Sequence, residues 1–381
     1  MTISIARVIT ASFIFLLMLA LFGCKTGSNN SIGNSNKPQT LDQQVNQLQR
    51  EKSIPALAFL TLKNDVPRVA VAGTLSVDST QKLVASDLLP LGSDSKAITA
   101  SLIARLVEQG KLNWNDKVSS FFPEFASAMD ISYQNLTVEQ LLRHESGLAP
   151  LTENSQVAEL IGVIGDLTGD TSTDQQTIFR WAFATPARFT PGTKTEYGNL
   201  NYVVAGRIAE IVGQDTYENL ARREVFIPLG INAQNTIPKM GVAGHRWVDG
   251  KWQIKVVSLE DDYLNNQLAV AAGGWFISMP DYAQFLKANI DGLRGHSAWL
   301  KESTLKYMHS QMRTEGFGIG WQIVSNNGET FSQHLGSDEE SYLHGVIFSQ
   351  KTGKASAFFT SGYSAAAVDA VSDFAVYLLQ Q

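Results

Sequence analysis

Residues 91–102 run LGSDSKAITASL, and the fold is decided by how they are read. The apolar positions Ala97, Ile98, Ile103, Leu106 and Val107 fall on one side of a helix over 94–109, and Gly110 closes it. Ser93 and Lys96 stand at its start. Residues three apart on a helix share a side, with Cβ atoms about 5–6 Å apart, so the pair has the reach of a nucleophile and its base. A serine in a first turn also lies near unpaired backbone N–H groups and the positive end of the helix dipole, which favours a developing oxyanion. Lysine becomes a base only when burial or a neighbouring cation brings its pKa down from about 10.4. An N-cap serine beside an exposed lysine fits the same letters, because S-x-x-K recurs by chance.

Around this helix the chain is strand-forming at both ends. LDQQVNQLQREK places Leu41, Val45 and Leu48 at helical spacing. ALAFLTLK (56–63) and RVAVAGTL (68–75) follow as two strands, with NDVP (64–67) as the hairpin between them. Much of 112–310 has helix and loop character, punctuated by FFPEF, TPARFTPGT and AVAAGGW. The last third returns to strands in FGIGWQIV, TFSQHLG, LHGVIFSQ and KASAFFTS, and closes with the helix AAAVDAVSDFAVYLLQ. This order predicts an α/β fold: one mainly antiparallel sheet assembled from the two ends of the chain, flanked by helices, with a helical region inserted between them.

The composition is globular. Hydrophobic residues make up 44% of the 381 and charged residues 17%, enough for a large core. Thirty Lys and Arg against 36 Asp and Glu give a net charge of −6 with no basic block, which argues against a nucleic-acid partner. At the N-terminus, Arg7 precedes fifteen uncharged residues, VITASFIFLLMLALF, and then Gly23 and Cys24. That is the layout of a secretory signal over 1–23, too short for a membrane span. Cys24 is the only cysteine, so no intramolecular disulfide forms. Residues 24–40, rich in Ser, Asn and Gly, form a solvated tether, and the folded domain spans 41–381.

LGSDSKAITASLIARLVEQGKLNWNDKVSSFFPEF resembles the nucleophile region of the serine hydrolases related to class C β-lactamases and penicillin-binding proteins. Four further segments match the same family in order: LTVEQLLRHESGLAPL, FTPGTKTEYGNLNYVVAGRIAEIVG, AAGGWFISMPDYAQF and GFGIGWQI. LFGC likewise resembles the lipobox of bacterial lipoproteins, which implies lipidation at Cys24. The family resemblance implies a β-lactamase-like fold with an all-helical inserted region. It makes Ser93 the acylated nucleophile, Lys96 the partner that takes its proton or tunes the pair, Tyr197 a second general base, and Asn199 a hydrogen-bonding partner of Lys96 or of the substrate carbonyl. A phenol with a reference pKa near 10 needs a cation such as Lys96 close by to serve in this way.

Where β-lactamases carry K-T-G on the strand lining the site, this chain has His334, Leu335 and Gly336, an H-x-G that resembles relatives acting as esterases or D-amino-acid peptidases. A side chain at 336 would block substrate from the strand edge. The backbone N–H of Ser337 is expected to complete an oxyanion hole with that of Ser93. Histidine anchors a carboxylate more weakly than lysine, which disfavours penicillins as the natural substrate.

His144 matches a family position and is expected to hold a loop by hydrogen bonds. GYSAA (362–366) falls short of a G-x-S-x-G elbow, and Ser364 more simply begins the terminal helix. No H-E-x-x-H or close histidine pair points to a metal. Trp275, Trp321 and Tyr342 belong either to a pocket or to the core.

The expectation is an exported, lipid-anchored serine hydrolase without a cofactor. It would act on a small ester or a D-amino-acid-containing peptide, with a membrane surface as its other partner. The competing readings are a β-lactamase or D,D-carboxypeptidase, and a binding or scaffold protein that has lost turnover.

Overall fold

The first and last strands of this chain lie side by side. In the computed structural model, which describes residues 39–257, 262–296, 299–311, 316–338 and 341–381, β1 (Ala56–Lys63) pairs antiparallel with β2 (Val66–Gly73) on one side and with β11 (Ala355–Thr360) on the other. β10 (Leu343–Ser349), β9 (Glu329–Ser337) and β8 (Gln322–Asn326) continue the sheet, giving the order β2-β1-β11-β10-β9-β8 with every neighbouring pair antiparallel. The sheet built from both ends of the chain is therefore present. The signal and tether, Cys24 included, lie outside the described residues except for Gln39 and Thr40.

Local chemistry explains the elements. Thr40 and Gln43 form a reciprocal capping box at the start of α1 (Leu41–Glu51), so the domain begins on a capped helix. The hairpin between β1 and β2 is tighter than expected. Only Asn64 and Asp65 form the turn, at φ 52° and 62°, the conformation a two-residue hairpin needs. Val66 and Pro67 already belong to β2, whose place at the sheet edge tolerates a proline. FGIGWQIV becomes strand only from Gln322.

Both faces of the sheet are covered. Along β1, Leu57 and Phe59 pack with Val45, Phe358 and Val371 beneath α1 and the terminal helix Ala365–Gln380. Ala58, Leu60 and Leu62 face the opposite way, into the main core. Ser364 caps that terminal helix by accepting from the Ala367 N–H at 3.2 Å, as expected.

The helix that follows Ser93, α2 (Ser95–Glu108), is buried over most of its length. Eleven of its fourteen residues are inaccessible, among them Lys96, and it packs against α3 (Asn199–Gly213) and α4 (Val270–Gly273). A helix surrounded by protein needs small residues for close approach, and Ala97, Ala100 and Ala104 supply them. It is entered from a small sheet in which β7 (Phe276–Ile277) pairs with both β3 (Leu89–Pro90) and β4 (Ala233–Gln234).

The inserted region is not wholly helical. β5 (His245–Val248) and β6 (Lys251–Ile254) form a hairpin around Asp249-Gly250, and β5 pairs parallel with β12 (Gly362–Tyr363). Asp-Gly between WV and KW carried that turn signal in the sequence. Trp252 fills the space over Gly362, where a Cβ would come within 2.7 Å of its ring.

Because Leu102 is fully buried in the main core, Leu102→Ala is expected to cost about 2–5 kcal/mol in a urea unfolding titration. Val163→Ala, at a position 66% exposed, should change stability by less than about 0.5 kcal/mol.

Candidate active site

The chain does not enter α2 directly. Gly92–Asp94 form a 3-10 turn whose residue 92 sits at φ 53°, and Ser93 rides on that turn as its only partly accessible member. No side chain caps α2, so the N-cap reading of Ser93 is set aside. The Ser93 hydroxyl instead accepts a 2.9 Å hydrogen bond from the Lys96 ammonium.

Lys96 has no solvent exposure. Its remaining contacts come from two other elements: Nζ donates to Asn199 Oδ1 at 2.8 Å and to the Ala272 carbonyl at 2.7 Å. Three acceptors satisfy its three donors, the condition for burying an amine at all. Burial disfavours the charged form and brings the amine down to about 7, while the Asp94 carboxylate pulls the other way. Lys96 is thus poised where a general base must be.

Tyr197 joins this group. The Lys96 Nζ lies 4.9 Å from its ring centroid. The ring is braced by His144 at 4.4 Å and by Phe317 at 5.8 Å. His144 does the structural work expected of it: its Nδ1 accepts from the Gly198 N–H at 3.2 Å, fixing the residue between Tyr197 and Asn199. Burial, then Lys96 and His334, hold His144 well below the usual imidazole range, so it stands neutral. Asn199 opens α3 without capping it. Its Nδ2 donates to Leu151 O at 2.8 Å, which turns Oδ1 toward Lys96.

The H-x-G strand meets the nucleophile turn through backbone. β8 pairs with β9 only as far as Gln333, so residues 334–337 run past the end of that neighbour. Here the chain around Leu91–Ser93 takes its place. A Cβ at Gly336 would sit 1.8 Å from Leu91 O and 2.8 Å from Ser93 N, and a Cβ at Gly92 would sit 2.8 Å from Ser337 N. Two glycines interlock, and the N–H groups of Ser93 and Ser337 are brought to the same wall. Both residues line a cleft of about 170 Å³ together with Asn199, Lys255 and Tyr342.

His334 departs from its expected role. It is 2% exposed, and its Nδ1 lies 3.0 Å from Asp94 Oδ1 and 3.0 Å from Leu335 O. Its Nδ1 thus faces Asp94, behind the Ser93 turn. The reason is Asp94, which the sequence reading passed over. Asp94 is fully buried; its Oδ2 lies 2.5 Å from His344 Nδ1 and accepts from the Tyr282 hydroxyl at 3.3 Å. Burial pushes this carboxyl up, but His344 and His334 outweigh it and hold the group below the usual carboxylate range.

The Ala272 carbonyl, Asp94 and His344 are thus the contributors missed. S-D-S-K did display Asp94, whereas nothing local marked His344, which faces the site only because it pairs with Gly336 across the sheet. Trp275 and Trp321 are wholly buried core residues, while Tyr342 lies on the cleft. Among the described residues, no group of three or more His, Cys, Asp or Glu side chains is placed to hold a metal ion, and no helix is long and apolar enough to cross a membrane.

A family model described as Beta-lactamase matches residues 41–379. Penicillin-binding protein 4 of Amycolatopsis lactamdurans is 26% identical over 195 residues, which are 50% of this chain and 47% of that protein. A beta-lactamase of Yersinia enterocolitica is 23% identical over 283 residues, 73% of this chain and 67% of its own length. This chain therefore spans about half the length of the first of these relatives. The structure of the octameric penicillin-binding protein homologue from Pyrococcus abyssi superposes with a TM-score of 0.72 over 89% of this chain and 76% of that one, at 22% identity. At that identity the likeness concerns the fold.

The interlocked backbone gives a direct test. Gly336→Ala should destabilise by about 1–3 kcal/mol and displace the Leu91–Ser93 turn in a crystal structure, since backbone cannot step aside as a side chain does. Gly110→Ala, at φ 70° but in open space, should cost no more than about 1 kcal/mol and leave the turn in place.

Proposed function

The chain belongs to the β-lactamase family, and from that premise and the geometry of its cleft we propose that it is a serine hydrolase cleaving an ester or amide through a Ser93 acyl-enzyme. The observation that carries this reading is the 2.9 Å hydrogen bond between a fully buried lysine and a partly accessible serine hydroxyl. In the proposed cycle Ser93 Oγ attacks the carbonyl carbon and its proton passes to Lys96 Nζ. The oxyanion is held by the N–H groups of Ser93 and Ser337. Collapse breaks the C–O or C–N bond, and the leaving group takes a proton by way of Tyr197. Water, losing its proton to the same bases, then attacks the acyl ester, releasing the acid and restoring the Ser93 hydroxyl. The residues at hand need no cofactor for this sequence.

The cleft argues for a substrate with apolar bulk. Of the fifteen large hydrophobic residues recorded as exposed among the described residues, seven fall within 237–257, and two of these, Ile237 and Val257, line the cleft beside Ser93. Small esters and D-amino-acid-containing peptides fit an H-x-G strand whose histidine is turned to Asp94. The second reading, turnover of β-lactams or D-alanyl peptides, is favoured by the names of the relatives. It meets the difficulty that the His334 ring faces Asp94, although Lys255, paired with Asp338 at 3.2 Å, lines the cleft. The proposed setting is outside the cytoplasm, held to a membrane surface by lipid on Cys24. A scaffold without turnover would have no use for a buried amine held on a serine.

A fluorophosphonate probe is expected to label the wild-type domain from residue 38 onward and to leave Ser93→Ala unlabelled; equal labelling of both would refute the mechanism. With whichever p-nitrophenyl ester is turned over, kcat/KM should rise with pH through about 7. Lys96 must lose its proton to act as a base, so activity falls on the acid side of that value and holds above it.

A further inference from the structure

A fully buried carboxylate needs hydrogen bonds, a compensating positive charge nearby, or both, to keep its own charge. Asp94 is buried, and its carboxyl is held in the charged form. Among the described residues three groups lie where they can supply the compensation. Lys96, two residues along α2, feels Asp94 directly. His334 on β9 approaches Oδ1 at 3.0 Å, but its Nδ1 also faces Leu335 O. His344 on β10 approaches Oδ2 at 2.5 Å. The remaining titratable neighbours, Tyr282 from the helix Met279–Leu293 and Tyr342 ahead of β10, are raised by burial and by Asp94 and carry no positive charge.

This sets a conflict inside the proposed mechanism. Lys96 acts as a base only when neutral, yet a neutral Lys96 leaves Asp94 without its cation. A proton held elsewhere in the cluster resolves the conflict. The sheet register places His344 for it: residue 344 lies opposite Gly336, so His334, Gly336 and His344 share the face of β9 and β10 that meets the nucleophile turn. Tyr282 fixes the ring from the other side, edge-on at 4.9 Å.

We propose that His344 is a positioning residue for the reaction: it carries the proton that balances Asp94, and in doing so leaves the amine of Lys96 free to stand uncharged beside Ser93. The idea rests on the serine-hydrolase reading above. It assigns the cluster no contact with substrate.

The test is the pH profile of kcat/KM on a p-nitrophenyl ester that the wild type cleaves. In His344→Gln the glutamine still donates to Asp94 but holds no charge, so the compensating role falls to Lys96. The acid limb should move up by about one pH unit, a tenfold loss on the original limb, with the high-pH plateau kept. Asp94→Asn combined with His344→Gln should return the limb to its wild-type place. A fallen plateau with an unmoved limb, or a double variant as shifted as the single one, overturns the proposal. If His344→Gln does not fold, Asp94→Asn alone must leave the limb at or below the wild-type position, and an upward shift refutes the idea. Should the wild type show no Ser93-dependent turnover, the functional reading fails, but the pair can still be judged by imidazole 15N chemical shifts. His344 should be doubly protonated at pH 7 in the wild type and singly protonated in Asp94→Asn; a neutral ring in the wild type sinks the pair itself.

Discussion

One buried amine organises the cleft side of this protein. Lys96 reaches Ser93 on the turn before its own helix, Asn199 at the head of α3 and the Ala272 carbonyl in α4, so its three donors tie three separate segments to one point. An amine without solvent is tolerable only while all of these acceptors stay in place. The geometry that prepares Ser93 is therefore the geometry that keeps Lys96 satisfied, and disturbance of any one segment is felt at the others. Burial also brings the amine near neutrality, so a single constraint serves both architecture and chemistry.

The second organising contact is backbone against backbone. Gly92 and Gly336 leave so little room that the nucleophile turn and the H-x-G strand touch through main-chain atoms. Such a contact holds its dimensions better than one made by flexible side chains. Asp94 adds to it from beneath, pairing with histidines on two adjacent strands. The sheet is thus more than a support for helices: the row His334, Gly336 and His344 on its inner face forms the floor under the nucleophile.

Much of this could be read from the letters alone. Alternating and near-continuous apolar runs gave the strands, and the spacing around Ala97 and Ile98 gave α2. S-x-x-K, Y-x-N and H-x-G named residues that the fold draws to one place, although each motif alone was weak. What escaped shares a cause. The hairpin Val248–Lys251 was legible in its Asp-Gly turn but was hidden by the helical character of its surroundings. His344 has no motif, and its importance follows from being opposite Gly336 in the register, a relation that no local window contains. His334 was placed on the correct strand, yet its direction depended on Asp94, a carboxylate whose burial cannot be inferred from composition. Pairings between distant segments set these facts.

The pairing of Leu57 with Thr360 also governs how such a chain comes into being. The β1–β2 hairpin stands at the start of the domain, and the inner edge of β1 has no partner until β11 pairs with it and the terminal helix covers its back. Closing so long a loop is slow compared with local folding. In this topology the central sheet is complete only once β11 has paired with β1, so the first strands of the domain wait on the last.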